Sequence, residues 1–106
     1  MDRETTAITK DFTQKILKKY HPAKIILFGS RARGDNLKHS DFDFIIVSRK
    51  FRGKLFIFRA SDIYPFWRYP FDIEPLCYTP EEFRRKKKQR GIILQAVKDG
   101  IELKAE

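Results

Sequence analysis

At 106 residues the chain has room for one domain with a single core, and its 42% hydrophobic and 14% aromatic content excludes a disordered tail. No apolar run is long enough to cross a bilayer, the charged start MDRETTAITKDF lacks a signal-peptide core, and the single cysteine, Cys77, excludes an internal disulfide or multi-cysteine metal site; a cytoplasmic protein without membrane contact is expected. The net charge of +9 points to an anionic partner (nucleic acid, nucleotide, phosphate or an acidic protein) as readily as to solubility alone.

Residues 4–20 read as a first helix. Ile8, Phe12, Ile16 and Leu17 recur at helical spacing, Thr5 or Thr6 is placed to cap it, and His21-Pro22 stops it. Lys24 to Phe28 is β-branched and aromatic, the composition of a strand. Ser30 to Gly34 predicts a short helix or turn, and Leu37 to Ser40 a loop. Asp41 to Ser48 predicts a second strand, apolar on both faces and so central in the sheet. Leu55 to Trp67 favours a helix packed on the sheet, with a strand over Leu55 to Arg59 as the alternative; its aromatics are expected in the core.

Phe71 to Tyr78 alternates as a third strand. Thr79, Pro80 and Glu82 then form a capping-box helix start that runs into the basic stretch Arg84–Arg90. The six cations of that stretch point all round a helix, so a solvated face is favoured over nucleic-acid contact. Gly91 breaks the helix, Ile92 to Val97 gives a short apolar one closed by Gly100, and Ile101 to Leu103 adds a last short strand.

The chemistry concentrates in KIILFGSRARGDNLKHSDFDFIIV, residues 24–47. A strand ends at Gly29-Ser30, ten residues follow, and Asp41-Phe42-Asp43 opens the next strand. Residues two apart on a strand share a face, which stands Asp41 and Asp43 side by side at roughly 7 Å. Such a carboxylate pair suits a hard cation, Mg²⁺ above all, that takes its other ligands from phosphates and water. Gly29 lets the backbone approach a ligand closely. Ser30 opens a helix whose first N–H groups face an anion. Arg31, Arg33 and Lys38 are near enough in sequence to add positive charge. A third carboxylate is available from Asp72 or Glu74, with Asp72 better placed to serve the attacking hydroxyl and take its proton.

This pattern resembles the nucleotidyltransferase superfamily typified by DNA polymerase β, and more closely its minimal nucleotidyltransferases. The matching residues are Gly29-Ser30, the ten-residue gap, Asp41-Phe42-Asp43 and the later FDIEPLCYTPEEF carrying Asp72. The resemblance implies an α/β (α+β) fold with a mixed sheet and helices packed on it, in a single domain over residues 1–106. It implies transfer of an NMP group from an NTP, with ATP as the expected donor, to an acceptor hydroxyl. Two Mg²⁺ ions on Asp41, Asp43 and Asp72 would serve that transfer. Members of the small family commonly pair with a helical HEPN-domain toxin as its antitoxin, and some adenylylate a tyrosine of that partner. The chain shows no acceptor-binding region of its own, in keeping with an acceptor supplied by another protein. Glu74 departs from the pattern by offering a second acid beside Asp72. A non-catalytic antitoxin that acts by contact, and a nucleic-acid-binding protein using Arg84–Arg90, are the competing readings. The sequence leaves a homo-oligomer open.

Overall fold

Two apolar strands, Ala23–Phe28 (β1) and Phe42–Ser48 (β2), lie antiparallel at the centre of a four-stranded sheet in a computed structural model that describes residues 1–104. Ile73–Tyr78 (β3) runs parallel to β2 on one edge. Ile101–Leu103 (β4) runs antiparallel to β1 on the other, giving the order β3-β2-β1-β4. The sheet is therefore mixed, and β2 is central as its two-sided apolar pattern predicts.

The strand period of two sorts the core into two layers. Phe42, Phe44 and Ile46 of β2, with Ile25 and Leu27 of β1, meet Phe12 and Ile16 of helix Arg3–Tyr20 (α1). Phe12 lies 4.9 Å from Phe44 and edge-on to Trp67 at 5.1 Å, so aromatic rings fill this layer. On the opposite face Ile26, Phe28, Ile45 and Val47 meet Phe83 of helix Pro80–Lys86 (α4) and Ile93 and Ala96 of helix Ile92–Asp99 (α5). The four-residue helix Ser30–Arg33 (α2) follows β1, and helix Phe56–Ile63 (α3) packs against β3.

Several local expectations are corrected. Asp2, not Thr5 or Thr6, caps α1, its carboxylate accepting from the Thr5 N–H at 2.7 Å; the buried Thr5 hydroxyl instead accepts from Arg31. The segment 55–67 is helical but shorter than expected: α3 ends at Ile63 and a 3₁₀ turn covers Tyr64–Phe66. Its aromatics divide. Phe66 and Trp67 pack on the core, whereas Phe56, Phe58 and Tyr64 are exposed at 42%, 52% and 51%, as are the aliphatic Leu55 and Ile57. The basic helix stops at Lys86 rather than running through Arg90. Gly100 follows α5 with an ordinary φ of −80°. It is glycine for space: a Cβ there would meet Ala96 O at 2.3 Å and Leu27 O at 2.9 Å. The capping box of Thr79 and Glu82 forms as the sequence predicts. Among the described residues no helix is long and apolar enough to cross a membrane.

Candidate active site

Antiparallel pairing sets Phe28, the last residue of β1, opposite Asp43 on β2; parallel pairing sets Glu74 of β3 on the other side of Asp43. One end of the sheet thus gathers the end of β1 with the beginnings of β2 and β3. The register runs on past the strands, because the Phe42 N–H donates to the Asp72 carbonyl at 2.9 Å. Asp43 and Glu74 form one rung of acids, with Asp41 and Asp72 one step further out. Both of the outer acids are exposed and lie just before their strands.

Phe42 anchors this array from behind. Its side chain points away from the acids into the aromatic layer, where it stacks beneath Arg31 (4.4 Å from guanidinium carbon to ring centre) and packs on Phe71 at 5.5 Å. Alternation then obliges Asp41 and Asp43 to face the α5 side.

Asp43 is half-buried in a cleft of about 260 Å³ that it shares with Gly29, Arg33, Glu74, Leu76 and, from α5, Ile92, Gln95, Ala96 and Asp99. Its pKa is pushed up to about 6. Burial is the main cause, followed by the charge of Glu74, the charge of Asp41 and a hydrogen bond with Glu74; Arg33 opposes the shift. Like charges are being held together here, which is the electrostatic condition that a bound cation relieves.

Gly29 closes the cleft for a steric reason. Its φ is +76°, and a Cβ at this position would stand 2.5 Å from Asp43 Oδ2. No other residue fits both the left-handed backbone and the space.

The expected site residues separate into two groups. Gly29, Arg33 and Asp43 line the cleft, and Ser30 opens α2 beside it. Arg31 does not line it. The Arg31 side chain is 1% exposed and turns under α2, where Nε and Nη2 donate to the Ser40 carbonyl at 3.2 and 2.9 Å. Nη2 also reaches the Lys38 carbonyl at 3.3 Å, and Nη1 donates to Thr5 Oγ1 at 3.0 Å. All three nitrogens are engaged in tying the loop before Asp41 to α1, and Nη1 also lies 4.0 Å from the Asp2 carboxylate, so the guanidinium is turned inward rather than toward the cleft. Arg33, exposed and paired with Asp35 at 3.2 Å, keeps the outward position. Lys38 contributes its carbonyl to Arg31 and its side chain is exposed.

Sequence reasoning passed over α5. Gln95 and Asp99, hydrogen-bonded to each other, face the carboxylates across the cleft. Their i, i+4 spacing marks one helix face, but nothing local says that this face meets Asp43.

The chain belongs to the nucleotidyltransferase domain family. That family matches residues 10–102, which span β1 through β4 and every acid of the array. No curated protein sequence matches the chain. A crystal structure from Sulfolobus solfataricus, provisionally assigned as a nucleotidyltransferase, is similar in fold: TM-score 0.66 at 20% identity, over 93% of this chain and 78% of that one. The mixed sheet with helices on both faces is thus a nucleotidyltransferase fold, and family membership implies a nucleotide substrate and transferase chemistry.

The acids suit a divalent metal in a particular way. Among the described residues no three His, Cys, Asp or Glu side chains close into a ready-made metal cluster. What the cleft offers is all-oxygen donors, crowded enough to raise Asp43 to about 6, with an open side. Hard donors with room for phosphate oxygens and water fit Mg²⁺ rather than a softer metal.

Proposed function

We propose that this chain transfers AMP from ATP to an acceptor hydroxyl, and that the acceptor is a tyrosine of a HEPN-type toxin for which the chain serves as antitoxin. The transferase reading rests chiefly on one observation: Gly29 packs without a side chain against Asp43, inside an array of four acids in a nucleotidyltransferase fold. A protein acceptor is supported by the exposed apolar residues Leu55, Ile57 and Phe58 of the α3 region, the kind of patch that marks a protein interface.

In this reading Asp41 and Asp43 hold Mg²⁺, with Asp72 or Glu74 as the third carboxylate for a pair of ions. Bound there, the metal neutralises the triphosphate and favours the ionised acceptor oxygen. The protein's own groups do the rest. Gly29 admits the phosphates close to the backbone, and Ser30 offers its hydroxyl and the first N–H groups of α2. Arg33 adds positive charge at the rim. The acceptor oxygen forms a bond to the α-phosphorus as the bond from that phosphorus to the pyrophosphate oxygen breaks. Pyrophosphate leaves with the electron pair, and the acceptor proton passes to Asp72, the exposed acid of the outer rung. Gln95 and Asp99 bound the opposite wall and are placed to contact the nucleotide.

The test is transfer of α-phosphate label from ATP to the protein encoded beside this chain, with and without Mg²⁺. Label should appear only with Mg²⁺ and vanish in Asp41→Asn and Asp43→Asn. Comparing Asp72→Asn with Glu74→Gln identifies the third acid as the one whose loss lowers kcat more. Should the Asp41→Asn/Asp43→Asn double variant neutralise the partner as well as the parent does, the chain acts by contact and the catalytic reading fails.

A further inference from the structure

At the end of the sheet away from the acid array, the chain builds a second hollow, of about 400 Å³, apolar in its floor and edged by cations. Lys24 from the start of β1, Arg49 from the turn after β2, and Arg84 and Lys87 from α4 and its cap line it, over a floor that includes Val47 and Phe83. Val47 lies four residues along β2 from Asp43, about 13 Å away, so the hollow is separate from the carboxylate cleft.

Its electrostatics mirror those of the cleft with the sign reversed. Among the described residues no carboxylate lines it. Lys24 reaches Glu102 only at 3.9 Å, and among the described residues Arg49, Arg84 and Lys87 meet no acid. Lys24 and Lys87 approach the same Phe83 ring, at 5.8 and 5.7 Å. Cations brought together from three elements of the fold, above an apolar floor that weakens screening, constitute a site for an anion.

We propose that this hollow seats backbone phosphates of a single-stranded nucleic acid. Two of its four cations are arginines, whose planar forks match phosphate oxygens. Exposed Arg85, Lys86 and Lys88 neighbour Arg84 and Lys87 along the chain and add to the positive charge near the hollow, which suits a strand carrying a charge at every nucleotide. An acidic protein would need apolar anchors as well, and none of the chain's exposed large apolar side chains lines the hollow.

The test is fluorescence anisotropy of a labelled oligouridylate of about 20 nucleotides, titrated over a series of salt concentrations. The parent should bind at low salt. Arg49→Gln/Arg84→Gln should weaken binding about tenfold or more and flatten the log–log salt slope by about 1.4, the share of two phosphate contacts. Arg3→Gln/Arg68→Gln removes the same net charge from exposed positions elsewhere and should change affinity less than about threefold. Both arginines of the hollow are exposed with free side chains, so thermal melts of both variants should coincide with the parent's. Equal weakening by the two pairs would reduce the hollow to diffuse net charge, and a parent that does not bind at low salt overturns the proposal outright. Competition by polyglutamate as strong as by unlabelled oligouridylate would reassign the hollow to acidic proteins.

Discussion

Asp43 and Glu82 sit at opposite ends of the same pair of parallel strands, and folding moves their pKa values in opposite directions. Asp43, before the chain has gone far into β2, is pushed up to about 6 by burial and by neighbouring acids. Glu82, just past the end of β3, is held down to about 2, mainly by its hydrogen bond to Arg59. Arg59 meets it with both terminal nitrogens, at 2.5 and 3.3 Å, and also donates to the Cys77 carbonyl at 3.1 Å. Where an acid is there for the fold, this chain supplies a bidentate cation. Where the acids are gathered into a cleft, it leaves them repelling one another. That contrast is the one expected between a structural carboxylate and one kept for a ligand.

The contrast can be broken from either side. The largest effect is expected from Arg31, the strut beneath the acid-bearing loop. Arg31→Ala leaves the Ser40 and Lys38 carbonyls and the Thr5 hydroxyl without their donor and opens a void over the Phe42 ring. It should cost about 4 kcal/mol in chemical denaturation, and Arg31→Lys should recover little of it, because one ammonium cannot span three acceptors. Retention of parental stability in Arg31→Ala would show that the loop does not depend on it.

Next comes Glu82→Ala. It strands the buried Arg59 guanidinium and removes half of the capping box, at a cost of about 3 kcal/mol near neutral pH. Because folding lowers the Glu82 pKa from 4.5 to about 2, its stabilisation is complete above the unfolded value and fades as pH falls through about 2. The difference between parent and variant in urea melts should therefore shrink toward acid pH.

Asp43→Asn should move stability the other way and by less. Folding raises the Asp43 pKa from 3.8 to about 6, so metal-free protein is favoured by this group at low pH and loses that contribution as pH rises through about 6. The variant escapes the loss. With chelator present it should be more stable than the parent at pH 7, by about 1 kcal/mol once solvent screening at a half-exposed group is allowed for. Below about pH 4 the two should melt together. A variant less stable than the parent at neutral pH would mean that Asp43 helps to hold the fold rather than straining it.

Much of this was legible in the chain. The strands around Gly29 and Asp43, the central place of β2 and the capped start of α4 follow from period, turn chemistry and capping residues, which are local. What failed was whatever depended on the identity of the neighbours. In the run SRARG, Arg31 and Arg33 look alike. Only tertiary folding brings Thr5 and the Ser40 carbonyl to one of them and turns it inward. Asp72 and Glu74 likewise share a strand face, and choosing between them needs the register with β2, which puts Glu74 opposite Asp43 and leaves Asp72 outside the strand. The apolar residues of the α3 region read as core because period reports an apolar face without saying what covers it. The basic hollow was hidden for the same reason: Lys24, Arg49 and Arg84 lie far apart in the chain, while the eye is drawn to the contiguous run after Phe83.

The central claim is that the acid array exists to hold a metal-bound nucleotide, and calorimetric titration of ATP tests it without requiring the acceptor. The parent should bind ATP with Mg²⁺ present, lose at least about tenfold in affinity in EDTA, and lose at least as much in Asp43→Asn with Mg²⁺ present. Binding that is equally tight in EDTA and in Asp43→Asn would contradict the account, since the nucleotide would then owe nothing to the carboxylates that this fold holds together.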